Sequence, residues 1–156
     1  MNKSLIFFAS IALSIAFAGL CRAQIDPQMG TWKLNEARSK FQPGVPKDHT
    51  VVCETAGDNV KITVDGTDKE GKSTHNEWTG KFDGKDYPVV GDPTSDMRSY
   101  EKKDDRGLVL KMTIKKEGKV TGAGMIVVSA SGKSCTVMSS EIAVKSPITM
   151  AVYDKQ

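Results

Sequence analysis

Residues 57–66 read GDNVKITVDG, and this stretch decides the class of fold. Val60, Ile62 and Val64 alternate with charged or hydroxyl side chains, so the segment has one apolar face and one face suited to water. Glycine, aspartate and asparagine stand on both sides of the run, and these residue types accept the backbone angles of tight turns. The stretch is typical of a β-strand within a hairpin.

The same alternation continues along the chain. It is clearest in residues 108–114, where every second residue is apolar. Further strands are predicted at 50–54, 73–80, 87–90, 97–102, 119–128, 134–139 and 148–153. The connections between them are too short for the dozen or so residues of a parallel crossover, so neighbouring strands should pair antiparallel. Residues 35–41 alone suggest a helical turn, capped by Asn35 and ended before Pro43.

These segments predict an all-β fold, an antiparallel meander of about 8–10 strands. Such a meander must either pack as two sheets or close into a barrel, and closure removes the exposed strand edges. Residues 82–93 read FDGKDYPVVGDP, and the strand predicted within them contains Pro88, which has no backbone N–H to offer a neighbour. We therefore expect a loosened seam in the wall near Pro88.

The first 23 residues follow the pattern of an export signal, with basic Lys3, an apolar run over 5–20 and the small residue Ala23 at the cleavage site. The apolar run is shorter than the roughly 20 residues of a membrane span, and no second run follows it. The sequence thus predicts a cleaved signal peptide, 1–23, and a single domain, 24–156. That domain is expected outside the cytoplasm, in the periplasm or secreted.

Charge and motifs exclude several classes of function. Two of the 22 basic residues belong to the predicted signal, which leaves 20 against 19 acidic residues and no concentrated basic face for nucleic acid. His49 and His75 are the only imidazoles, His75 is expected to face water, and no Cys-x-x-Cys spacing occurs. Motifs of nucleophilic, phosphate-binding and metalloprotease sites are missing as well. We expect neither catalysis nor a cofactor or metal.

Two cysteines, Cys53 and Cys135, remain after the predicted cleavage. In an oxidising compartment such a pair could form a disulfide, and the alternative is that both are small apolar residues buried in strands. The spacing of the two residues in the sequence leaves both alternatives open.

Arg98 and Tyr100 are two positions apart and therefore share one side of a strand. Facing inward, the guanidinium and the phenol could hold the carboxylate head group of a ligand. Lys102 follows on the same side, which favours an outward and solvated arrangement. Trp78, by contrast, is expected to point inward, as core or as the wall of a ligand site.

Residues 30–34, GTWKL, resemble the Gly-x-Trp strand that opens lipocalins and related calycin barrels, where the indole closes one end of the barrel. FDGKDYPVVGDP and the closing AVYDK, 151–155, also look like stretches of small exported bacterial lipocalin-like proteins, so the resemblance covers most of residues 28–154. The closing strand departs from the lipocalin pattern because it has no arginine to cover the tryptophan. The resemblance implies a lipocalin-like or fatty-acid-binding-type barrel.

Two hypotheses for function follow from such a barrel. The first is a carrier or sensor that encloses a small apolar molecule. Its predicted lumen residues are Val60, Ile62, Val64, Trp78, Leu108, Leu110, Met112 and Ile126. The second is a filled barrel that binds no ligand and acts as a protein-interaction or cell-envelope module. A barrel of about eight strands stands at the boundary between these two cases, so strand number alone does not separate them.

Overall fold

A computed structural model describes residues 26–142 and 148–156, and the predicted signal peptide lies outside the described residues. Strands account for most of this part of the chain, and it contains no α-helix. The ten strands are β1 Gly30–Leu34, β2 Lys47–Ala56, β3 Asn59–Thr67, β4 Ser73–Gly80, β5 Tyr87–Val90, β6 Met97–Lys102, β7 Val109–Lys116, β8 Lys119–Val128, β9 Ser134–Glu141 and β10 Thr149–Lys155.

The strands form one closed barrel. Each strand pairs antiparallel with the next one in the sequence, and β10 closes the wall by pairing antiparallel with β1. In that closing ladder Trp32 lies opposite Lys155, and Leu34 lies opposite Tyr153. The predicted all-β antiparallel meander, closed into a barrel, is confirmed.

The predicted helical segment is a single 3-10 turn, Glu36–Arg38, which directly follows β1. Asn35 caps it as expected, because its side-chain oxygen accepts a hydrogen bond of 3.2 Å from the backbone N–H of Arg38. The turn is shorter than the predicted range of 35–41. Lys40 already pairs with Met150 of β10 through two backbone hydrogen bonds, and this pairing ends the helical geometry.

The wall is loosest at β5, as the proline predicts. Only two residue pairs join β5 to β4, and only two join it to β6, whereas eight pairs join β3 to β4. Pro88 is exposed and pairs with Met97, and its missing N–H shortens the ladder. The expectation of a loosened seam near Pro88 is confirmed.

The core lies inside the barrel. Trp78 and Leu110 are each 1% exposed, and the other buried apolar side chains surround them in one cluster. Among the described residues, no helix has the length and apolarity needed to cross a membrane.

Candidate functional site

A small, partly open cavity of about 60 Å³ lies within the barrel. Its wall is almost entirely apolar, and its larger side chains are Trp32, Ile62, Phe82, Leu110, Ile126 and Tyr153. An engineered protein cavity of about 150 Å³ accepts benzene, and sites for drug-sized ligands measure about 300–1,000 Å³. The cavity as it stands therefore fits a guest of only a few heavy atoms, and a larger guest requires side chains to move.

All eight predicted lumen residues belong to the interior cluster, but only Ile62, Leu110 and Ile126 line the cavity. The other five fill space instead. Met112 shows how, because its terminal methyl carbon lies 3.0 Å from where a Cβ at Gly124 would stand. Methionine is flexible enough to occupy irregular space of this kind. The room left by the glycine is thus taken by a neighbouring side chain and adds nothing to the cavity.

One end of the interior is closed by the segment before β1. Gln28 is 4% exposed, and its side-chain amide donates hydrogen bonds to the carbonyl oxygens of Gly107 and Leu108, at 2.9 and 3.2 Å. The backbone carbonyl oxygen of Gln28 accepts a hydrogen bond of 2.9 Å from the indole N–H of Trp32. Gln28 also lines the cavity, so it is both the plug of this end and the cavity's polar contact.

Lys155 of β10 covers the outer side of Trp32, and its ammonium lies 4.9 Å from the centroid of the indole. Gly30 makes room for this contact, because a Cβ there would stand 2.6 Å from Lys155 Cε. Lys155 therefore covers the indole, the role that the resemblance to lipocalins implies for an arginine of the last strand. As the last basic residue of that strand, Lys155 could have been predicted from the sequence to cover Trp32.

The two thiols also face the cavity. Cys53 on β2 and Cys135 on β9 are both free, and the strands β1 and β10 lie between them in the wall. The disulfide considered from the sequence is therefore not formed in this structure, and the alternative of two buried cysteines describes it.

We expect the two thiols to be inert in the folded protein. Burial raises the pKa of Cys53 and that of Cys135 to about 12, so both stay protonated near neutral pH, and the thiolate is the reactive form. A disulfide-exchange reagent such as DTNB at about pH 8 should leave both unmodified until guanidinium unfolds the chain, when both should react. Rapid reaction of either thiol in the native protein would contradict this placement.

An aromatic cluster supports the weak seam from inside. Trp78 stacks on Phe82 at 6.1 Å between ring centroids, and it meets Tyr87 and Tyr100 edge-on at 5.7 and 4.8 Å. The indole N–H also donates a hydrogen bond of 2.9 Å to the backbone oxygen of Arg98. Trp78 lies on β4 and Arg98 on β6, so this side chain joins the two neighbours of β5 beneath the short ladders.

The expectation that Arg98 and Tyr100 face outward is wrong. They are 9% and 3% exposed and belong to the inner side of β6. Arg98 forms an ion pair of 3.0 Å with Asp92, a residue of the connection between β5 and β6. Its other guanidinium nitrogen donates a long hydrogen bond of 3.5 Å to the Tyr100 hydroxyl. Asp92 supplies the buried charge with a partner, which makes burial of the arginine tolerable.

Two polar atoms near this ion pair have no hydrogen-bond partner among the described residues. They are Arg98 Nε, a donor, and Asn76 Oδ1, an acceptor, and both are buried. Asn76 lies on β4 opposite the inward-facing Val64, and its Cα stands 3.3 Å from where a Cβ of Gly91 would be, next to Asp92 in the chain. Each of these two atoms has the capacity for one more hydrogen bond, Arg98 Nε as a donor and Asn76 Oδ1 as an acceptor.

A β-bulge turns a further carboxylate toward the same end. The register of β2 shifts between Asp48 and Thr50, so Asp48 lies opposite Gly66, whose position faces inward along β3. Water reaches Asp48, but the surrounding protein removes enough hydration to raise the pKa of its carboxyl, against the attraction of Arg98. Strict alternation along β2 would have placed Asp48 on the outer surface. The bulge interrupts that alternation, and the pattern of apolar residues does not reveal it, so the orientation of Asp48 could not be predicted from the sequence.

His75 is exposed, as expected, and its Nδ1 lies 2.7 Å from an Asp65 carboxylate oxygen. This hydrogen bond raises the pKa of the His75 imidazole. Within the described part of the chain, no group of three or more His, Cys, Asp or Glu side chains is arranged to hold a metal ion.

No family model matches this chain, and no curated protein matches it. The closed antiparallel barrel of ten strands is consistent with a calycin-like barrel. The candidate site is accordingly described by its own geometry: an apolar cavity beside a plugged end, and a polar cluster around Arg98.

Proposed function

We propose that the protein is an exported, lipocalin-like binding protein that holds a small apolar molecule inside its barrel. The observation that carries the proposal is the apolar cavity inside the barrel, next to the end closed by Gln28 and Trp32. The lysine over the indole of Trp32 supports the lipocalin-like assignment, because a basic side chain of the last strand has the covering position. The same proposal assigns no catalytic role to the interior.

The polar cluster limits the head group that a longer ligand could carry. Asp92 already neutralises Arg98 at 3.0 Å, and Asp48 adds a second negative charge nearby. A ligand carboxylate would therefore have to compete with two protein carboxylates. An uncharged hydroxyl or amide fits better, because it can accept a hydrogen bond from Arg98 Nε without bringing a further negative charge.

The test is mass spectrometry of the purified protein under native and denaturing conditions, followed by thermal unfolding with xenon, short alkanes and short-chain alcohols. A guest present at 100 times its Kd stabilises the folded state by about 2.7 kcal/mol, which is a measurable rise in Tm. A co-purified small molecule, or such a rise, supports the proposal. An apo mass with no rise for any of these probes would overturn it and leave the filled interaction module.

Val137→Leu is expected to abolish binding of these probes and to keep the fold. Val137 lines the cavity, and one added methylene takes up much of a volume of about 60 Å³. The change in stability should stay within about 1.5 kcal/mol, because the new group enters empty space. The readout is the probe-dependent shift in Tm.

Val127→Leu is the matched control for this variant. Val127 lies on β8 opposite Thr136 and outside the barrel, so the same enlargement leaves the cavity unchanged. Binding should persist in Val127→Leu. Equal probe-dependent shifts in Val137→Leu and in the unmodified protein would show that the guest does not occupy this cavity.

A further inference from the structure

Three methionines form a row across the outer surface of the barrel. Met125 on β8 lies directly opposite Met138 on β9, and Met138 lies directly opposite Met150 on β10. Their chain neighbours Ile126 and Val137 belong to the interior, so the three methionines are on the outer face. Met138, in the middle, is 37% exposed, and water therefore reaches the row.

The three thioether sulfurs can meet. Directly opposed residues of antiparallel strands have Cβ atoms about 4.5–5.5 Å apart. Methionine has an unbranched side chain with three rotatable bonds, so the sulfurs of Met125 and Met150 can both turn toward that of Met138. The central residue is thus within reach of both partners, whereas the outer two reach each other only across it.

The surroundings offer mainly soft ligands, and the hard groups nearest to Met138 on the outer face of β9 are the hydroxyls of Thr136 and Ser140. The row ends at Lys111, opposite Met125, and at Lys40, which pairs with Met150. The adjacent outer positions on β8 are Ala123 and Val127. Calcium and magnesium require several oxygen ligands, and the two ammonium groups repel a divalent ion more strongly than a monovalent one. Thioethers are neutral, soft ligands that select Cu(I).

We propose that Met125, Met138 and Met150 form a surface site for one soft monovalent metal ion, Cu(I) or its analogue Ag(I). The site is independent of the barrel interior and of the binding function proposed for it. The alternative is that the three methionines only cover the outer surface of the sheet, in which case no sulfur contacts a metal ion.

The experiment is a titration of the full mature protein, labelled with ¹³C at the methionine methyl groups, with silver nitrate. Silver avoids redox chemistry, and Cu(I) is then added under anaerobic conditions as a second probe. The methyl signals of Met125, Met138 and Met150 should shift together at one equivalent, and those of Met29 and Met112 should stay in place. Single Met→Leu variants assign the signals.

Met138→Leu should weaken binding of Ag(I) by at least about tenfold, because even partners outside the first coordination shell are worth about 10–100-fold in metal affinity. Met97→Leu is the matched control, since Met97 is also 37% exposed but lies between Pro88 and Lys115. It should bind Ag(I) like the unmodified protein.

Two results would overturn the proposal. One is an absence of methyl shifts in the row while silver binds, which would place the ion elsewhere, for example on a thiol or on the exposed His75 imidazole. The other is equal affinity in Met138→Leu and Met97→Leu. The methyl shifts are measured on the unmodified protein, so they decide the matter even if a variant fails to fold.

Discussion

Trp78→Ala is expected to lower the free energy of unfolding by about 3–5 kcal/mol, the range for truncating a buried large aromatic residue. Trp78 is 1% exposed and contacts three aromatic rings, so the substitution leaves a large void at the centre of the core. It also leaves the backbone oxygen of Arg98 without its indole donor. Because a domain is stable by only about 5–15 kcal/mol, this loss is a large share of the total. Urea unfolding followed by circular dichroism measures it.

Trp78→Phe separates packing from the hydrogen bond. The phenyl ring keeps most of the aromatic contacts but cannot donate to Arg98 across β5. Its cost should lie between zero and that of Trp78→Ala, and it should increase hydrogen exchange in β5 more than in β8 and β9, because β5 depends on short ladders. A destabilisation by Trp78→Ala of less than about 1 kcal/mol would show that the ring does not support the seam.

The strand pattern predicted most of the fold because side-chain alternation is a local property. Val60, Ile62 and Val64 mark one face of β3 by themselves, and the structure places that face inside the barrel. Pro88 likewise marks the weak point of the wall, because its missing N–H acts at its own position. Both inferences need only the residue and its immediate neighbours.

The interior polar cluster could not be predicted in this way. Arg98 shares the inward side of β6 with Tyr100, but Lys102 on the same side of the strand favoured an outward interpretation. The deciding partner is Asp92, which lies in the connection between β5 and β6 and is brought to 3.0 Å from Arg98 by the conformation of that connection. Alternation carries no information about the conformation of a connection.

The size of the cavity could not be predicted from the sequence, for a different reason. Alternation tells which side chains point inward, and all eight predicted lumen residues do so. It does not tell how they share the volume. Met112 occupies the space beside Gly124, for example, and the remaining cavity lies beside Trp32 and the two cysteines.

The ion pair between Arg98 and Asp92 is expected to give the second large effect. Their side chains are only 10% and 14% exposed, so water screens the pair little, and removing one partner leaves an uncompensated buried charge. Asp92→Ala and Arg98→Met should each cost about 3–5 kcal/mol, the range for breaking a buried pair. Urea unfolding of each single variant provides these values.

The double variant Asp92→Ala/Arg98→Met should cost clearly less than the sum of the two single variants. It removes both charges at once, and replacing a buried pair by apolar groups is often close to neutral. The coupling energy from the four proteins should therefore be at least about 3 kcal/mol, the upper end of the range for residues in direct contact. Additive costs would mean that Arg98 gains nothing from Asp92. A ligand group would then be free to take the place of the Asp92 carboxylate beside the guanidinium, and the preference for an uncharged head group would be lost.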